Sequence, residues 1–350
     1  MFFAMVRSGV LPLAMAAQFA DAQMNAGALV KMPTDGHVHF EDLQGVRVAD
    51  PGSPSSTQVR VKVAGSSVNP IDWKLIKGDA AKYWSYPHVF GRDCVGVVVE
   101  VGSDVSRLKD GDVVWADNAH PEGCFAETVL LEESITGLAP TTIPMHEAAL
   151  LPLVSLTAKQ ALNLGGMPDV PVRTVVILGG SGGVGHVALQ IARAWAPDAH
   201  IVTTCGTQNL QFCADMGADT VVDYHAQEWQ DVVPALSADI VFDAVGARNA
   251  AELAYQTLKD GGAFMTIAGA LASDETAASR PSVKQSFFLV DSSDYRNLDT
   301  LKDLVDAGKL RPVLDTTFTT SEIAACFNHS INGHSVGKIS VVPASNAVTV

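Results

Sequence analysis

The sequence predicts an α/β protein in which a doubly wound parallel sheet is joined to a second, β-rich domain. Three observations carry that expectation. The apolar run Val175-Val176-Ile177-Leu178 passes directly into Gly179-Gly180-Ser181-Gly182-Gly183-Val184-Gly185 and then into the helical stretch Val187–Arg193. From about Thr157 onward, apolar runs alternate with helix-length segments, the pattern of βαβ units. Before that point the text is strands and turns, and after Arg311-Pro312 it becomes β-like again.

In chain order, residues 1–24 come first. Ser8 to Ala20 is mostly apolar, with Arg7 before it, no acidic residue until Asp21, and a small-residue pattern at Ala20-Asp21-Ala22. Two readings stand: a cleaved targeting segment, mitochondrial before secretory, or an extension that carries no address. The run is too short to span a bilayer, and the expected location is the cytoplasm or the mitochondrion. From Ala26 to Leu150, Val59-Arg60-Val61-Lys62-Val63 alternates, Cys94 to Gly102 is β-branched and glycine-bounded, and Asp110-Gly111-Asp112 turns into Val113-Val114-Trp115.

Six strands are expected in the second region: Val175–Leu178, His200–Thr204, Thr220–Asp223, Asp239–Ala244, Gly262–Ala268 and Phe287–Val290. The tail, ending in Gly337-Lys338-Ile339-Ser340-Val341-Val342, is expected to rejoin the first domain. The division is therefore 25–150 plus 311–350 against 151–310, with the active cleft between the two.

Composition narrows the function. At 350 residues, 47% hydrophobic and 17% charged, the chain can bury substantial cores. A net charge of −15 opposes a general affinity for nucleic acid or anionic lipid, which leaves small molecules as partners. The cysteines, Cys94, Cys124, Cys205, Cys213 and Cys326, never form a C-x-x-C pair, so neither a disulfide framework nor a zinc knot is expected. They are read as small buried residues.

The glycine run is G-x-G-x-x-G between a strand and a helix, where backbone N–H groups can approach a pyrophosphate at a helix N-terminus. Gly180, Ser181, Gly182, Gly183, Val184 and Gly185 are the expected dinucleotide contacts. The end of the second strand chooses the dinucleotide, because an acidic residue there binds the NAD ribose 2′-hydroxyl. Thr204-Cys205-Gly206-Thr207-Gln208-Asn209 contains neither an acid nor a base. NADPH is accordingly preferred to NADH, with Thr207, Asn209 and Tyr224 as neutral contacts. Val245 and Gly246 after the fourth strand, and Ala268 and Gly269 after the fifth, should face the nicotinamide half. Asp243 is read as capping the turn that follows it.

Several of these segments together resemble the medium-chain dehydrogenase/reductase superfamily: Gly91-Arg92-Asp93-Cys94-Val95-Gly96, Gly111-Asp112-Val113-Val114, Leu151-Pro152-Leu153-Val154-Ser155, the glycine loop and Gly337-Lys338-Ile339. Ser67-Val68-Asn69-Pro70-Ile71-Asp72-Trp73-Lys74 and Leu304–Val313 are similar to its zinc-independent quinone oxidoreductase branch, which includes alkenal/enone reductases and reticulon-interacting mitochondrial oxidoreductases. The resemblance covers about residues 26 to 343. It implies a GroES-like β-rich catalytic domain beside a Rossmann domain, and a homodimer. Zinc alcohol dehydrogenases carry Gly-His-Glu where this chain has Gly91-Arg92-Asp93, and a cysteine near Asn69 to Asp72, so the resemblance implies no metal. Gly206 and Gln208 depart from the branch, which usually has a serine and often a nearby base there.

The resulting expectation is hydride transfer from NADPH to a quinone or to the C=C of an α,β-unsaturated carbonyl, with solvent or a hydroxyl giving the proton. Asn69 is the expected polar group near the nicotinamide or substrate carbonyl; otherwise it is a turn residue before Pro70. Tyr83 is the candidate for orienting a substrate oxygen. Asp72 and Lys74 are read as a solvated pair at a helix start, and His186 as approaching the cofactor. A second reading of the same residues is an NADPH-binding redox sensor or interaction module with little turnover. A zinc alcohol dehydrogenase ranks third.

Overall fold

The structure, a computed structural model, describes residues 23–346 apart from positions 35, 78, 120–122 and 334. The expected targeting segment therefore lies outside the described residues but for its last two positions. Eight strands come first: β1 (Gln23–Leu29), β2 (Leu43–Ala49), β3 (Gln58–Ser67), β4 (His88–Val89), β5 (Asp93–Val101), β6 (Val113–Asp117), β7 (Thr128–Glu132) and β8 (Gly137–Leu138). β1 pairs antiparallel with β2 and β4, while β3 lies between β5 and β7. The alternation read at Val59–Val63 points Val59, Val61 and Val63 into a core with Cys94, Val98, Val114 and Leu131.

Six strands follow: β9 (Thr174–Leu178), β10 (His200–Cys205), β11 (Thr220–Asp223), β12 (Ala238–Asp243), β13 (Leu258–Thr266) and β14 (Lys284–Phe287). All pair in parallel, in the order β11-β10-β9-β12-β13-β14. This doubly wound order reverses at β9, where ligands bind in such sheets. From Val175 to Leu178 β9 is apolar because both its faces are covered there. Val175 and Ile177 join a core with the helices Pro152–Leu164 and Gly183–Trp195, whereas Val176 and Leu178 pack on the opposite face with Val202, Val241 and Phe264.

The last expected strand was misplaced: it is Lys284–Phe287, not Phe287–Val290. As an edge strand it is only partly covered, so the polar residues Lys284, Gln285 and Ser286 are tolerated where an apolar run was sought.

The chain then returns through β15 (Leu314–Thr319) and β16 (Lys338–Val342). β16 lies parallel to β15 and antiparallel to β3, through Ser340 opposite Ser67 and Val341 opposite Ser66. The tail thereby adds β15 and β16 to the sheet of β3. One hydrophobic core runs from Val95 and Trp115 through Leu153 and Leu156 to β9, so the two lobes are packed together and not merely linked. All five cysteines are free and buried.

Candidate active site

The C-terminal ends of the parallel strands form a row, with Asp223 opposite Cys205, Thr204 and Asp243 opposite Leu178, and Thr266 opposite both Asp243 and Phe287. The glycine loop leaves the middle of that row. Gly179 N donates to Thr204 Oγ1 (2.9 Å), Gly180 N to Thr204 O (2.9 Å) and Gly182 N to Gly179 O (3.1 Å). The chain is thereby turned into the helix Gly183–Trp195, with Gly182 as its N-cap. The first-turn N–H groups have no carbonyl one turn back to bond.

Two glycines are there for space. A Cβ at Gly185 would meet the Gly179 carbonyl oxygen, and one at Gly180 would meet Thr203 Oγ1. At Gly183 a Cβ would stand 3.0 Å from Lys338 Cδ and 3.4 Å from Gly337 O, filling a narrow gap beneath the returning tail. Gly337 N donates to Ser181 O (3.0 Å), so that tail is stitched to the loop. The hydroxyl of Ser335, two residues earlier, is buried with no partner among the described residues. These residues fit the pyrophosphate of a dinucleotide.

At the end of β10 the expected contacts differ in what they can offer. Thr207 Oγ1 donates to Asp223 Oδ2 (2.6 Å), so its proton is already committed. Asn209 N closes the turn on Gly206 O (2.9 Å). Tyr224 is 60% exposed, its ring 4.3 Å from that of His225. Both rings bring polar atoms over Gly206, whose Cβ position would lie 3.4 Å from Tyr224 Oη and 3.8 Å from His225 Nε2.

On the other side of the switch point, Asp243 Oδ1 accepts from Val245 N (3.1 Å), Gly246 N (2.9 Å) and Ala247 N (3.2 Å). Thr266 Oγ1 accepts from Ala268 N (3.2 Å) and Gly269 N (2.8 Å). Asp243 thus caps its turn as expected. The N–H groups of Val245, Gly246, Ala268 and Gly269 are engaged, which leaves their carbonyls and the exposed Val245 side chain for a ligand.

The largest departure lies where the lobes meet. Asn69 is completely buried; its Nδ2 donates to Asp93 Oδ2 (2.7 Å) and its Oδ1 accepts from Lys338 Nζ (2.6 Å). Both ends of the amide are spent, so Asn69 positions Lys338 and Asp93 and offers no group to a substrate. Lys338 Nζ also donates to Val68 O (2.8 Å) and lies 3.5 Å from Asp93 Oδ2. Asp93 in turn accepts from Ser67 Oγ (2.5 Å) and Leu153 N (2.7 Å). Burial lowers the Lys338 pKa, against the opposing pull of Asp93 and Asp72.

Asp72 is not half of a solvated pair. It is 5% exposed, accepts from Asn69 N (2.8 Å), and is pushed up by burial to about 7. Tyr83 is 87% exposed and does not line the nearby cavity of about 270 Å³, whose walls are Trp84 and Phe90 with Asp72, His88, Arg92 and Asn118. His186 is fully buried, with Nδ1 on Gly182 O (3.0 Å), and burial lowers its pKa to about 4. It supports the loop from behind.

Sequence reasoning gave no role to Lys338, Asp93 or His225. A lysine in the apolar terminal strand, and a histidine in a stretch from Cys205 to His225 that holds no Lys or Arg, were the available signals.

Arg92 closes the seam. Its Nε and Nη2 clasp Asp117 Oδ1 (2.7 Å) and Oδ2 (2.8 Å), while Ser292 of the second lobe donates to the same carboxylate. Among the described residues no group of three or more His, Cys, Asp or Glu could hold a metal ion.

Comparison with known proteins places this geometry. Residues 55–151 match the alcohol dehydrogenase GroES-like domain, and residues 216–341 match the zinc-binding dehydrogenase family. The chain is 30% identical over 356 aligned positions to the 2-methylene-furan-3-one reductase of Solanum lycopersicum, covering 96% of this chain and 86% of that protein. It is 33% identical over 326 positions, 80% of each chain, to the mitochondrial NAD(P)H oxidoreductase RTN4IP1 of Homo sapiens. The solved quinone oxidoreductase of Coxiella burnetii superposes with a TM-score of 0.80 at 27% identity, covering 92% of this chain and 99% of that one.

Proposed function

The chain belongs to the medium-chain dehydrogenase/reductase superfamily, in its quinone and enone reductase branch, and we propose that it reduces a quinone or the C=C of an α,β-unsaturated carbonyl with NADPH and without zinc. The observation that carries this reading is the meeting, at one seam, of a glycine-loop cradle and a buried Arg92–Asp117 ion pair. The names of relatives support it, among them the NADPH-dependent alkenal/one oxidoreductase of Arabidopsis thaliana, 30% identical over 95% of this chain and 86% of that protein.

When bound, the nicotinamide supplies the hydride. The protein's own residues supply placement. The first turn of Gly183–Trp195 holds the pyrophosphate, and the ends of β12 and β13 flank the ring. Val245, Leu271, Phe287 and Leu289 are partly or largely exposed at or just beyond the ends of β12, β13 and β14, a rim suited to an apolar acceptor. Arg92, facing the cavity, is the cation we assign to the acceptor oxygen, where negative charge grows as hydride arrives. Solvent returns the proton. The division 25–150 plus 311–350 against 151–310, a homodimer, and a cytoplasmic or mitochondrial location complete the reading; no helix among the described residues is long and apolar enough to cross a membrane.

The test is NADPH oxidation with short enones and with quinones, alongside equilibrium titration of NADPH. Turnover with either acceptor class is expected, and Arg92→Gln should lower kcat/KM by roughly a hundredfold while NADPH still binds. Tight NADPH binding with no turnover on any acceptor would instead favour the redox-sensor reading.

A further inference from the structure

We propose that Asp72 is the proton donor of the reduction: its carboxyl group, in the wall of the same cavity as Arg92, gives the proton that completes the product after hydride arrives. The inference rests on the reductase reading above and deepens it, naming the group through which solvent delivers that proton.

Asp72 is the third residue of the helix Pro70–Lys77, where a carboxylate ordinarily reaches back to the amide that starts the helix and stays ionised in water. The reach-back is present, with Asn69 N donating to Oδ2 (2.8 Å), but it uses one oxygen only. Oδ1 has no hydrogen-bond partner among the described residues, and Asp72 lines the cavity of about 270 Å³ together with Arg92, Trp84 and His88. Helix capping accounts for Oδ2 and leaves the other oxygen without a task.

The surroundings keep a proton on Asp72 near neutrality. Burial, to which Asp93 adds, outweighs the Asn69 amide, Lys338 and Arg92 and pushes the carboxyl up to about 7. The neighbouring groups cannot take its place. Lys338 gives its N–H bonds to Val68 O, Asn69 Oδ1 and Asp93, and Asp117 is held by Arg92 and Ser292. The Cys326 thiol, on the helix Ile323–Ile331, is pushed up by burial and holds its proton. His88 stacks on Trp84 with ring centroids 4.0 Å apart, and burial lowers it to about 4, so it is neutral at pH 7. Lys74 and Lys77, on the same helix as Asp72, lie over the Trp73 ring.

The step balances without a further reagent. Hydride adds with its electron pair to Cβ of the enone, oxidising the nicotinamide, and the C=C pair moves to the carbonyl oxygen as an enolate beside Arg92. The Asp72 O–H bond then breaks and its proton forms the new C–H bond at Cα. The carboxylate left behind is favoured by Arg92 and Lys338 until solvent reprotonates it. With a quinone the same proton goes to the phenolate oxygen.

The experiment gives the full chain NADPH and a short enone carrying an α-methyl group, in wild type and in Asp72→Asn. Wild type should form a single configuration at the new α-centre and lose kcat as pH rises through about 7, because the donor must be protonated. Asp72→Asn keeps an oxygen to accept from Asn69 N, so it should bind NADPH as before. It should lose about a hundredfold in kcat, give both configurations and show no such pH limb. Infrared difference spectra of the unliganded protein should show a carboxylic-acid band that disappears over the same pH range in wild type and is missing from Asp72→Asn. A mixed product from wild type overturns the proposal with no variant needed, as does a single configuration from Asp72→Asn with the wild-type pH course. Absence of turnover by wild type on enones and quinones alike overturns the reductase reading and this inference with it.

Discussion

At Lys338 Nζ, the Val68 carbonyl, the Asn69 amide oxygen and the Asp93 carboxylate converge on one ammonium buried to 3% exposure. No donor remains for a ligand, and every neighbour depends on that charge. Replacing it by a shape-similar apolar residue leaves Asp93 buried beside Asp72 with little to balance it. Lys338→Met should therefore cost about 3–5 kcal/mol, read by urea unfolding, and adding Asp93→Asn should recover part of the loss. A single substitution as mild as a surface ion pair would give, below about 1 kcal/mol, would show that the cluster is not coupled. Asp72 belongs to the same cluster. Its sequence setting, two residues before Lys74 at a helix start, gives no sign of burial, because the chain that buries it arrives from the far terminus.

The strand–loop–helix from β9 to Trp195 was legible almost residue by residue. A strand covered on both faces must be apolar throughout, and the turn beyond it must be glycine wherever a Cβ would strike backbone. β14 was not legible, since an edge strand needs no such run. The loop also separates two roles by position. Gly185→Ala drives a Cβ into the Gly179 carbonyl and should lose stability and dinucleotide affinity together, by more than about 2 kcal/mol in unfolding. Gly183→Asp places its Cβ 3.0 Å from the Lys338 stem and 3.4 Å from the Gly337 carbonyl, contacts looser than the one at Gly185, so folding should lose less than in Gly185→Ala while dinucleotide affinity falls at least about a hundredfold from charge repulsion. Thermal unfolding beside fluorescence titration decides it; loss of folding in Gly183→Asp would show that this glycine is structural. The catalytic side chains were less legible than the cradle. Asn69 and Tyr83 were chosen by type and nearness in sequence, whereas their surroundings are set by residues more than twenty positions away or by none.

Taken whole, the molecule carries opposing titrations. His88 and His186 are both lowered by burial from 6.5 to about 4, so their contribution is present above pH 6.5 and lost as pH falls toward 4. Asp72 is raised from 3.8 to about 7, so its contribution is present below pH 3.8 and lost as pH rises through 7. Two histidines outweigh one carboxyl below about pH 7 and nearly balance it above. Unfolding free energy should fall by about 1–2 kcal/mol from pH 7 to about pH 5 and change by less than about 0.5 kcal/mol from pH 7 to about pH 8.5. Asp72→Asn should at least double the loss at pH 5; an unchanged loss would mean that Asp72 ionises without penalty.

The return of β16 to β3 also sets an order of events during synthesis. Lys338 follows Val68 by 270 residues, and at 5–20 residues per second it emerges roughly 15–50 s later. Until then the nascent first lobe exposes an unpaired stretch of β3 and holds two carboxylates without their ammonium. The parallel-sheet lobe can be complete while its elder neighbour still waits for the end of the message.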